Sequence, residues 1–376
     1  MEQRTYKNTD ISVSLLGMGM MRLPKISPDK EDIDEKAAEA MIDYAYAHGV
    51  NYFDTAHMYH DGGSEPFVGR ALKKFDRKSF YLATKMPVWM ADTPADIERI
   101  FQFQLERLQT DYFDFYLVHS LNAGHYQRMK DFGAYEFLKK MKAEGKIRYL
   151  GFSFHDKPEL LEQICDEYEW DFAQIQLNYL DWEMQDAKRQ YEILEQHGLP
   201  CIVMEPIRGG TLASPCQRSN ELFEAANPNV SVASWALRYA ASLPNVLTVL
   251  SGMSNMDQLK DNIATIEQFK PLEDSEREVI EEAVSAYKEF YTIPCTGCRY
   301  CMDCPAGVDI PKMFSLYNQY AAVNDIDGYK VAYEKTAESE RADRCVACGK
   351  CAQHCPQLIT IPERMQYIAK YAAEKF

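Results

Sequence analysis

The chain has 376 residues, of which 46% are hydrophobic, and is longer than the roughly 250 residues of a typical single barrel domain. Its formal net charge of -16 and its pI near 5.0 disfavour nucleic acid and anionic membranes as partners. The N-terminus lacks an apolar signal core, and no window reaches the roughly 18 uninterrupted apolar residues of a membrane span. We therefore expect a cytoplasmic protein with more than one domain.

Short apolar runs alternate with helical periodicity from Arg4 to Tyr291. Residues Arg4 to Val13 predict a hairpin, Val13 to Met18 a first strand, and Asp274 to Tyr291 a last helix. The eight apolar runs end near Met18, Asp54, Lys85, His119, Ser153, Leu177, Glu205 and Leu250. Strands buried on both faces and separated by helices are typical of a parallel sheet, and eight of them close into a barrel. The sequence therefore predicts an α/β fold, a (β/α)8 TIM barrel over residues 1–291.

A doubly wound sheet would also alternate strands with helices. Its dinucleotide-binding motif needs three glycines after the first strand, whereas Gly17-Met18-Gly19 supplies only two. The barrel is therefore the favoured architecture.

Ionisable side chains stand at the carboxyl ends of three consecutive runs. Asp54 ends the run Tyr52-Phe53-Asp54, and Tyr59 follows five residues later, before a Gly-Gly turn. Lys85 and His119 end the next two runs. Asp54 alone would also fit an ordinary turn cap. Because the carboxyl ends of barrel strands meet at one rim, we expect these side chains to form an active site.

These residues resemble the Asp, Tyr, Lys and His tetrad of the aldo/keto reductase family, in the family's chain order. The surrounding motifs Asp54-Thr-Ala-x-x-Tyr59, Gly62-x-Ser-Glu65 and Gly151-x-Ser153 are also similar to those of the family. The resemblance covers roughly residues 1 to 290. It implies a nicotinamide-dependent oxidoreductase that transfers hydride between its cofactor and a small carbonyl or alcohol substrate.

Carbonyl reduction needs a proton donor, and a phenol with a pKa near 10 is too weak an acid unless its neighbours tune it. Tyr59 is the expected donor, and Lys85 would favour its phenolate. His119 would polarise the substrate oxygen or relay the proton, and Asp54 would keep Lys85 charged and oriented. Each residue taken alone also has an ordinary structural explanation. A Lys at a strand end is usually solvated, and a single buried His is usually a hydrogen-bonded core residue.

The resemblance also assigns residues to the nicotinamide cofactor. Ser153 and Gln174 fall where the family binds the carboxamide, although Phe154 replaces the Asn that commonly follows the Ser. Met204 takes the position of an aromatic ring that often stacks on the nicotinamide. The other assigned positions are Gly19, Met20, Pro206, Arg208, Gly210, Gly252, Gln258, Asp261 and Asn262.

The adenosine end lacks the cations typical of a strict NADP enzyme. Members that prefer NADP commonly carry Lys and Arg where Gly252 and Gln258 stand here. We therefore expect NADP(H) or NAD(H) as cofactor, with weak discrimination in favour of NADP(H).

Eight of the eleven Cys form two runs near the C-terminus. The runs are Cys295-x-x-Cys298-x-x-Cys301-x-x-Cys304-Pro305 and Cys345-x-x-Cys348-x-x-Cys351-x-x-x-Cys355-Pro356. The second run matches the bacterial ferredoxin spacing, and the first is one residue shorter before its last Cys. Residues 304–311 and 355–362 share the pattern Cys-Pro-x-x-x-x-Ile-Pro at a shift of 51 residues. Without an export signal, such Cys indicate metal or redox chemistry rather than disulfides.

In bacterial two-cluster ferredoxins the fourth Cys of each run ligates the other cluster. The resemblance thus implies a small α+β ferredoxin-like domain over residues 292–376 with two 4Fe-4S clusters. One is assigned to Cys295, Cys298, Cys301 and Cys355, and the other to Cys345, Cys348, Cys351 and Cys304. Two zinc sites are the alternative, since CxxC pairs also bind tetrahedral zinc. The remaining Cys165, Cys201 and Cys216 are expected in the core.

Two functions remain open at this point. Hydride carries two electrons, a 4Fe-4S cluster passes one at a time, and the sequence has no flavin motif to couple them. The clusters of an oxidoreductase would therefore be structural or would exchange electrons with a redox partner protein. The alternative is a nicotinamide-binding sensor or electron-transfer subunit without carbonyl reductase activity, and the intact tetrad favours the enzyme.

Overall fold

The computed structural model describes residues 1–7, 9, 11–27, 30–290, 293–321 and 325–376. These residues fold into two compact units. The first comprises Met1–Ile207 and Asn227–Arg277, and the second comprises Arg208–Ala226 and Glu278–Phe376. The predicted boundary between residues 291 and 292 lies outside the described residues, so the domains 1–291 and 292–376 stay a prediction.

The first unit contains a closed barrel of eight parallel strands, which confirms the predicted fold. The strands are β3 Leu16–Gly19, β4 Tyr52–Asp54, β5 Tyr81–Met86, β6 Phe113–Leu121, β7 Ile147–Phe154, β8 Phe172–Gln176, β9 Cys201–Met204 and β10 Val246–Ser251. They follow chain order around the barrel, and β10 pairs with β3 to close it. Each predicted apolar run corresponds to one strand, although Val13 belongs to the preceding hairpin rather than to β3.

Helices connect the strands and cover the barrel. They are α1 Glu35–Ala47, α2 Ser64–Leu72, α3 Pro94–Arg107, α4 Ala123–Asp131, α5 Ala134–Ala143, α6 Pro158–Glu167, α7 Asp181–Met184, α8 Ala187–Gln196, α10 Val232–Ala241 and α11 Met256–Glu267. Local sequence explains how several of them begin. Asp34 caps α1 by accepting a hydrogen bond from the Ala37 N–H. Thr93 and Asp96 form a capping box at α3, whose first residue is Pro94.

The predicted hairpin is formed by β1 Gln3–Thr5 and β2 Ser12–Ser14. It lies at the amino end of the barrel, where it contacts inward-facing strand residues. Its Arg4 guanidinium donates to backbone carbonyls at the start of β10, and Tyr6 packs on Phe115 inside the barrel. Tyr6 and Val13 share one hydrophobic cluster with inward-facing strand residues such as Phe172. Because the hairpin covers the amino end of the barrel, a substrate site is expected at the carboxyl ends of the strands.

The second unit is built on helices around a separate hydrophobic core. Its helices are α9 Gln217–Ala226, α13 Ile310–Leu316, the π-helix Tyr317–Ala321, α14 Ile326–Glu334, α15 Lys350–Gln353 and α16 Ile361–Lys375. Helix α12, Asp274–Phe290, begins in the first unit and continues into the second. Within the described part of residues 293–376 all regular elements are helical, and the strands of the expected α+β composition are not found there. Of the helices that are described, none is long and apolar enough to cross a bilayer.

Candidate active site

The structure brings the four predicted catalytic residues together at the carboxyl rim of the barrel. The Lys85 ammonium donates to the Asp54 carboxylate (2.6 Å), to the Thr55 carbonyl (2.8 Å) and to the Tyr59 hydroxyl (3.3 Å). The His119 ring stands nearly perpendicular to the Tyr59 ring, with centroids 6.2 Å apart. Lys85 is fully buried, and Tyr59 retains 9% exposure. The tetrad is therefore a desolvated cluster, of which Tyr59 is the least buried member.

Burial controls the charges of this cluster. It lowers the pKa of Lys85 and raises the pKa of Asp54, while the ion pair between them opposes both shifts. Burial, and next the nearby Lys85 cation, hold the pKa of His119 well below its usual value. His119 is therefore a neutral hydrogen-bonding group near neutral pH, beside a charged pair.

Aromatic rings border His119 on one side. The Trp89 ring centroid lies 5.0 Å from that of His119, and Trp89 stacks on His125 at 4.6 Å with an interplanar angle of 22°. The His125 Nδ1 is 2.6 Å from the Ser120 carbonyl oxygen, to which it donates in the corresponding tautomer. Trp89 and His125 thus form one aromatic wall beside the tetrad.

The neutral His155 makes stability depend on pH. Burial, with a smaller effect of His125, lowers its pKa to about 4 from an ordinary value of 6.5. Between these two pKa values the unfolded chain binds more protons. Stability therefore falls as the pH falls, by about 1.4 kcal/mol per pH unit for one such proton.

We expect the variant His155→Gln, which cannot titrate, to lose less thermal stability than the wild type between neutral pH and about pH 5. Unfolding midpoints from circular dichroism at both pH values, on anaerobically prepared protein, provide the measurement. All other titrating groups are the same in the two proteins. An equal loss of thermal stability in both would therefore contradict the role of His155 in the pH dependence.

A second buried carboxylate, Glu65, lies behind Lys85. Its Oε1 accepts hydrogen bonds from the Thr84 hydroxyl and from Gln104 Nε2, both at 2.7 Å, and its Oε2 is 3.2 Å from Arg107 Nε. Gln104 Nε2 also donates to the Lys85 carbonyl (3.0 Å). These hydrogen-bonded side chains form a layer behind the tetrad and hold the end of β5, which carries Lys85. The sequence reasoning missed it, although Gln104 is a polar residue on the apolar stripe of α3.

Three predicted nicotinamide residues lie on neighbouring strand ends of the first unit. The Ser153 hydroxyl accepts a hydrogen bond from the backbone N–H of Ser120 (2.7 Å). Ser120 itself has a φ of 54°. Gln174 Nε2 lies 3.4 Å from the Met204 sulfur. Within the described residues the buried Gln174 Oε1 has no hydrogen-bond partner. This oxygen is suited to accept from a ligand amide.

The ends of β3, β9 and β10 meet where the remaining cofactor positions were predicted. A Cβ on Gly19 would lie 3.5 Å from the Ser251 carbonyl, and a Cβ on Gly252 would lie 3.2 Å from the Arg22 side chain. Arg22 also pairs with Glu205 at 3.3 Å. This ion pair between strand ends was not predicted, because the two residues are far apart in the chain.

Three of the other predicted cofactor residues lie in α11. Asn262 donates to the Ser251 hydroxyl (2.9 Å), Asp261 accepts from Ser231 (2.6 Å), and Gln258 accepts from the Ser254 N–H (2.8 Å). Met20 and Pro206 are buried in the first unit. Arg208 and Gly210 belong to the second unit, where Arg208, Gly209 and Gly210 have consecutive positive φ angles of 48°, 64° and 97°.

The eight tail Cys line two cavities within the second unit. One is lined by Cys295, Cys298, Cys301 and Cys355, with apolar contacts from Phe314 and Ile359. The other is lined by Cys304, Cys345, Cys348 and Cys351, with apolar contacts from Val308 and Met365. Each cavity thus receives three Cys from one run and the fourth from the other run. Outside the tail, Cys165 and Cys201 are buried and Cys216 is half-buried.

The internal repeat extends to the backbone of the two Cys runs. Positive φ angles occur at equivalent positions: Gly297 (66°) and Ala347 (53°), Arg299 (65°) and Gly349 (76°), and Gly307 (75°) and Leu358 (52°). An L-residue in this region costs about 1–2 kcal/mol. Three non-glycine residues thus keep a left-handed conformation that the repeat imposes.

Two family models match the chain. The aldo/keto reductase family model covers residues 15–285, and a 4Fe-4S dicluster domain model covers residues 294–360. The chain belongs to the aldo/keto reductase family. It carries a C-terminal domain of the iron-sulfur ferredoxin type, and as a family member it is an NAD(P)-dependent oxidoreductase.

Known proteins resemble mainly the aldo/keto reductase part. The NADH-specific methylglyoxal reductase of Escherichia coli (strain K12) is 27% identical over 305 residues, which cover 69% of this chain and 91% of that protein. The holo form of aldo-keto reductase AKR11C1 from Bacillus halodurans is 28% identical with a TM-score of 0.63, covering 75% of this chain and 96% of the other.

A further solved structure shows the fold. The aldo-keto reductase from Klebsiella pneumoniae in complex with NADPH is 24% identical with a TM-score of 0.62, covering 75% of this chain and 95% of the other. The first relative is named as NADH-specific, and this structure was solved in complex with NADPH.

Proposed function

We propose that the barrel transfers hydride between a nicotinamide dinucleotide and a small carbonyl or alcohol substrate, with Tyr59 as the proton donor. The buried contact of Lys85 with both Asp54 and Tyr59 is the observation that carries this proposal. A cation 3.3 Å from a phenol stabilises the phenolate. Such a phenol gives up its proton more readily than an isolated one.

The bound nicotinamide supplies or accepts the hydride, which carries two electrons. In the reducing direction, the substrate carbon gains hydride and the substrate oxygen gains a proton from the Tyr59 hydroxyl. The neutral His119 offers a hydrogen bond to that oxygen, while Lys85 stabilises the phenolate left on Tyr59. Asp54 keeps the buried ammonium charged through its 2.6 Å contact.

The described residues fit a nicotinamide at the rim. Gln174 Oε1, buried and without a partner among the described residues, would accept from the carboxamide, and Ser153 lies on the neighbouring strand end. Met204 would provide a soft, polarizable surface for the ring. Neither Gly252 nor Gln258 offers a cation to a 2'-phosphate. We therefore propose use of both cofactors, with less than about tenfold preference for NADPH.

We further propose that the two Cys cavities hold one 4Fe-4S cluster each. Four Cys line each cavity, in the crossed pattern of bacterial ferredoxins. A single zinc ion would need sulfurs about 3.8 Å apart, given a Zn–S bond of about 2.3 Å. The spacing of the second Cys run and the Pro that follows each run match a bacterial ferredoxin, which favours a cluster over zinc.

The clusters would pass electrons one at a time, and we propose that they exchange them with a redox partner protein. Within the described ranges, the Cys of both cavities lie in the second unit and the tetrad lies in the first. The domain boundary near residue 291 is part of this proposal.

The test is steady-state oxidation of NADPH and NADH against a panel of aldehydes, ketones and quinones, on anaerobically reconstituted protein. We expect turnover with both cofactors at kcat/KM values within about tenfold of each other. The variant Gln258→Arg should raise the ratio in favour of NADPH, because it adds a cation for the 2'-phosphate. Binding of both cofactors without turnover of any carbonyl would instead support a sensing role.

A further inference from the structure

The two cluster loops of the second unit are equivalent in sequence but differ in exposure. Thr296 in the first loop is 4% exposed, whereas Val346 at the equivalent position of the second loop is 68% exposed. Cys348 is the exposed member of the eight tail Cys, and its counterpart Cys298 is half-buried. The second Cys loop is therefore more exposed to solvent than the first, although the two have equivalent sequences.

The charges around the exposed loop also distinguish it. Residues 344–350 contain two charged side chains, Arg344 and Lys350, and both are cations. Asp343 precedes the loop, and Glu338 lies 4.0 Å from Arg344. Residues 293–376 carry ten Lys and Arg and ten Asp and Glu, so the net charge of -16 comes from the rest of the chain. Glu338 and Asp343 offset the charge of Arg344, whereas Lys350 forms no ion pair within the described residues.

A large exposed apolar side chain beside a redox centre is a suitable contact for a protein partner. Val346 lines the cavity of Cys304, Cys345, Cys348 and Cys351. Ala347 next to it holds a φ of 53°, so the loop keeps a left-handed bend at its tip. An apolar tip with cations at both ends of the loop is complementary to an acidic surface with an apolar centre.

We infer that the loop 344–350 is the electron port of this protein, meaning the surface through which electrons enter the iron-sulfur domain. The partner that docks there is an acidic one-electron carrier protein. The carrier gives up one electron and is oxidised, and the cluster held by Cys304, Cys345, Cys348 and Cys351 is reduced by that electron. No proton or atom is transferred in this step. The other cluster then receives electrons from within the domain. This inference rests on the proposed presence of two clusters.

The experiment compares Lys350→Glu with Arg299→Glu, which makes the same charge reversal at the first cavity. Iron content is measured first, and about eight atoms per chain in all three proteins is required. Little iron in the wild type would defeat the cluster proposal itself. Reduction is then followed by stopped-flow bleaching at low ionic strength, with dithionite as anionic donor and reduced methyl viologen as cationic donor.

We expect Lys350→Glu to slow reduction by dithionite and to speed reduction by methyl viologen, each by about threefold to fivefold. Both effects should fade at high salt. Arg299→Glu should change either rate by less than about 1.5-fold, because the port lies at the other cavity. An equal or larger effect of Arg299→Glu, with iron intact, would overturn the assignment of the port.

The protein partner is tested with a reduced bacterial ferredoxin of strongly negative net charge as donor. We expect Val346→Ser to slow reduction by this ferredoxin at least about threefold, while reduction by dithionite is unchanged, because the small anion needs no apolar contact. An unchanged rate with ferredoxin would contradict a protein docking surface at this loop. A port for small donors only would then be the remaining interpretation.

Discussion

Replacing Tyr59 with Phe is expected to lower kcat by about 10²- to 10⁴-fold while nicotinamide binding stays nearly intact. The substitution removes the hydroxyl that Lys85 contacts at 3.3 Å but keeps the ring that packs near His119. Single-turnover reduction of the best carbonyl of the panel, with cofactor affinity measured by fluorescence titration, separates chemistry from binding.

Tyr52→Phe provides a matched control for this loss. Tyr52 lies on the same strand β4 and is fully buried, and its hydroxyl has no hydrogen-bond partner among the described residues. The same chemical change at this position should leave kcat within about twofold of the wild type. Wild-type turnover in Tyr59→Phe would remove Tyr59 from the proposed role, and a large loss of cofactor affinity would mark it as structural.

Replacing Cys355 with Ala is expected to destroy the cluster of the other Cys run. Cys355 lines the cavity of Cys295, Cys298 and Cys301 rather than that of its sequence neighbours. Iron should fall from about eight to about four atoms per chain, because a 4Fe-4S cluster needs all four thiolates. Iron analysis on anaerobic protein and spin counting of the reduced clusters measure the loss.

Double variants identify which cluster is lost. Cys355→Ala combined with Cys298→Ala should retain about four iron atoms, since both residues serve one cluster. Cys355→Ala combined with Cys348→Ala should retain almost none. Ligation within each run would produce the opposite pattern, and stoichiometric zinc in place of iron would overturn the cluster assignment altogether.

Much of the barrel was predictable because local sequence carries it. A strand end is marked where an apolar run stops, and Asp54, Lys85 and His119 each stand at such a stop. Parallel strands that close into a barrel bring their carboxyl ends to one rim, so the grouping of these residues follows from the fold class. The crossed assignment of the tail Cys was implied by the resemblance to bacterial two-cluster ferredoxins, and the two cavities have the corresponding lining.

The layer behind the tetrad required the tertiary structure. Glu65 and Gln104 lie 39 residues apart, and no local pattern indicates that they form a hydrogen bond beneath Lys85. The Arg22–Glu205 ion pair spans strand ends that meet only when β10 closes the barrel onto β3. Such contacts depend on how helices and loops pack, which periodicity along the chain does not encode.

The sequence by itself determined the eight strands, the four rim residues and the two Cys runs, because each depends on spacing or on where an apolar run ends. Only the tertiary structure decided that residues Arg208–Ala226 join the C-terminal unit, and that Val346 is exposed while its repeat partner Thr296 is buried. The physical reason is that local propensity sets elements and ligand spacing, whereas burial is a property of the packed whole.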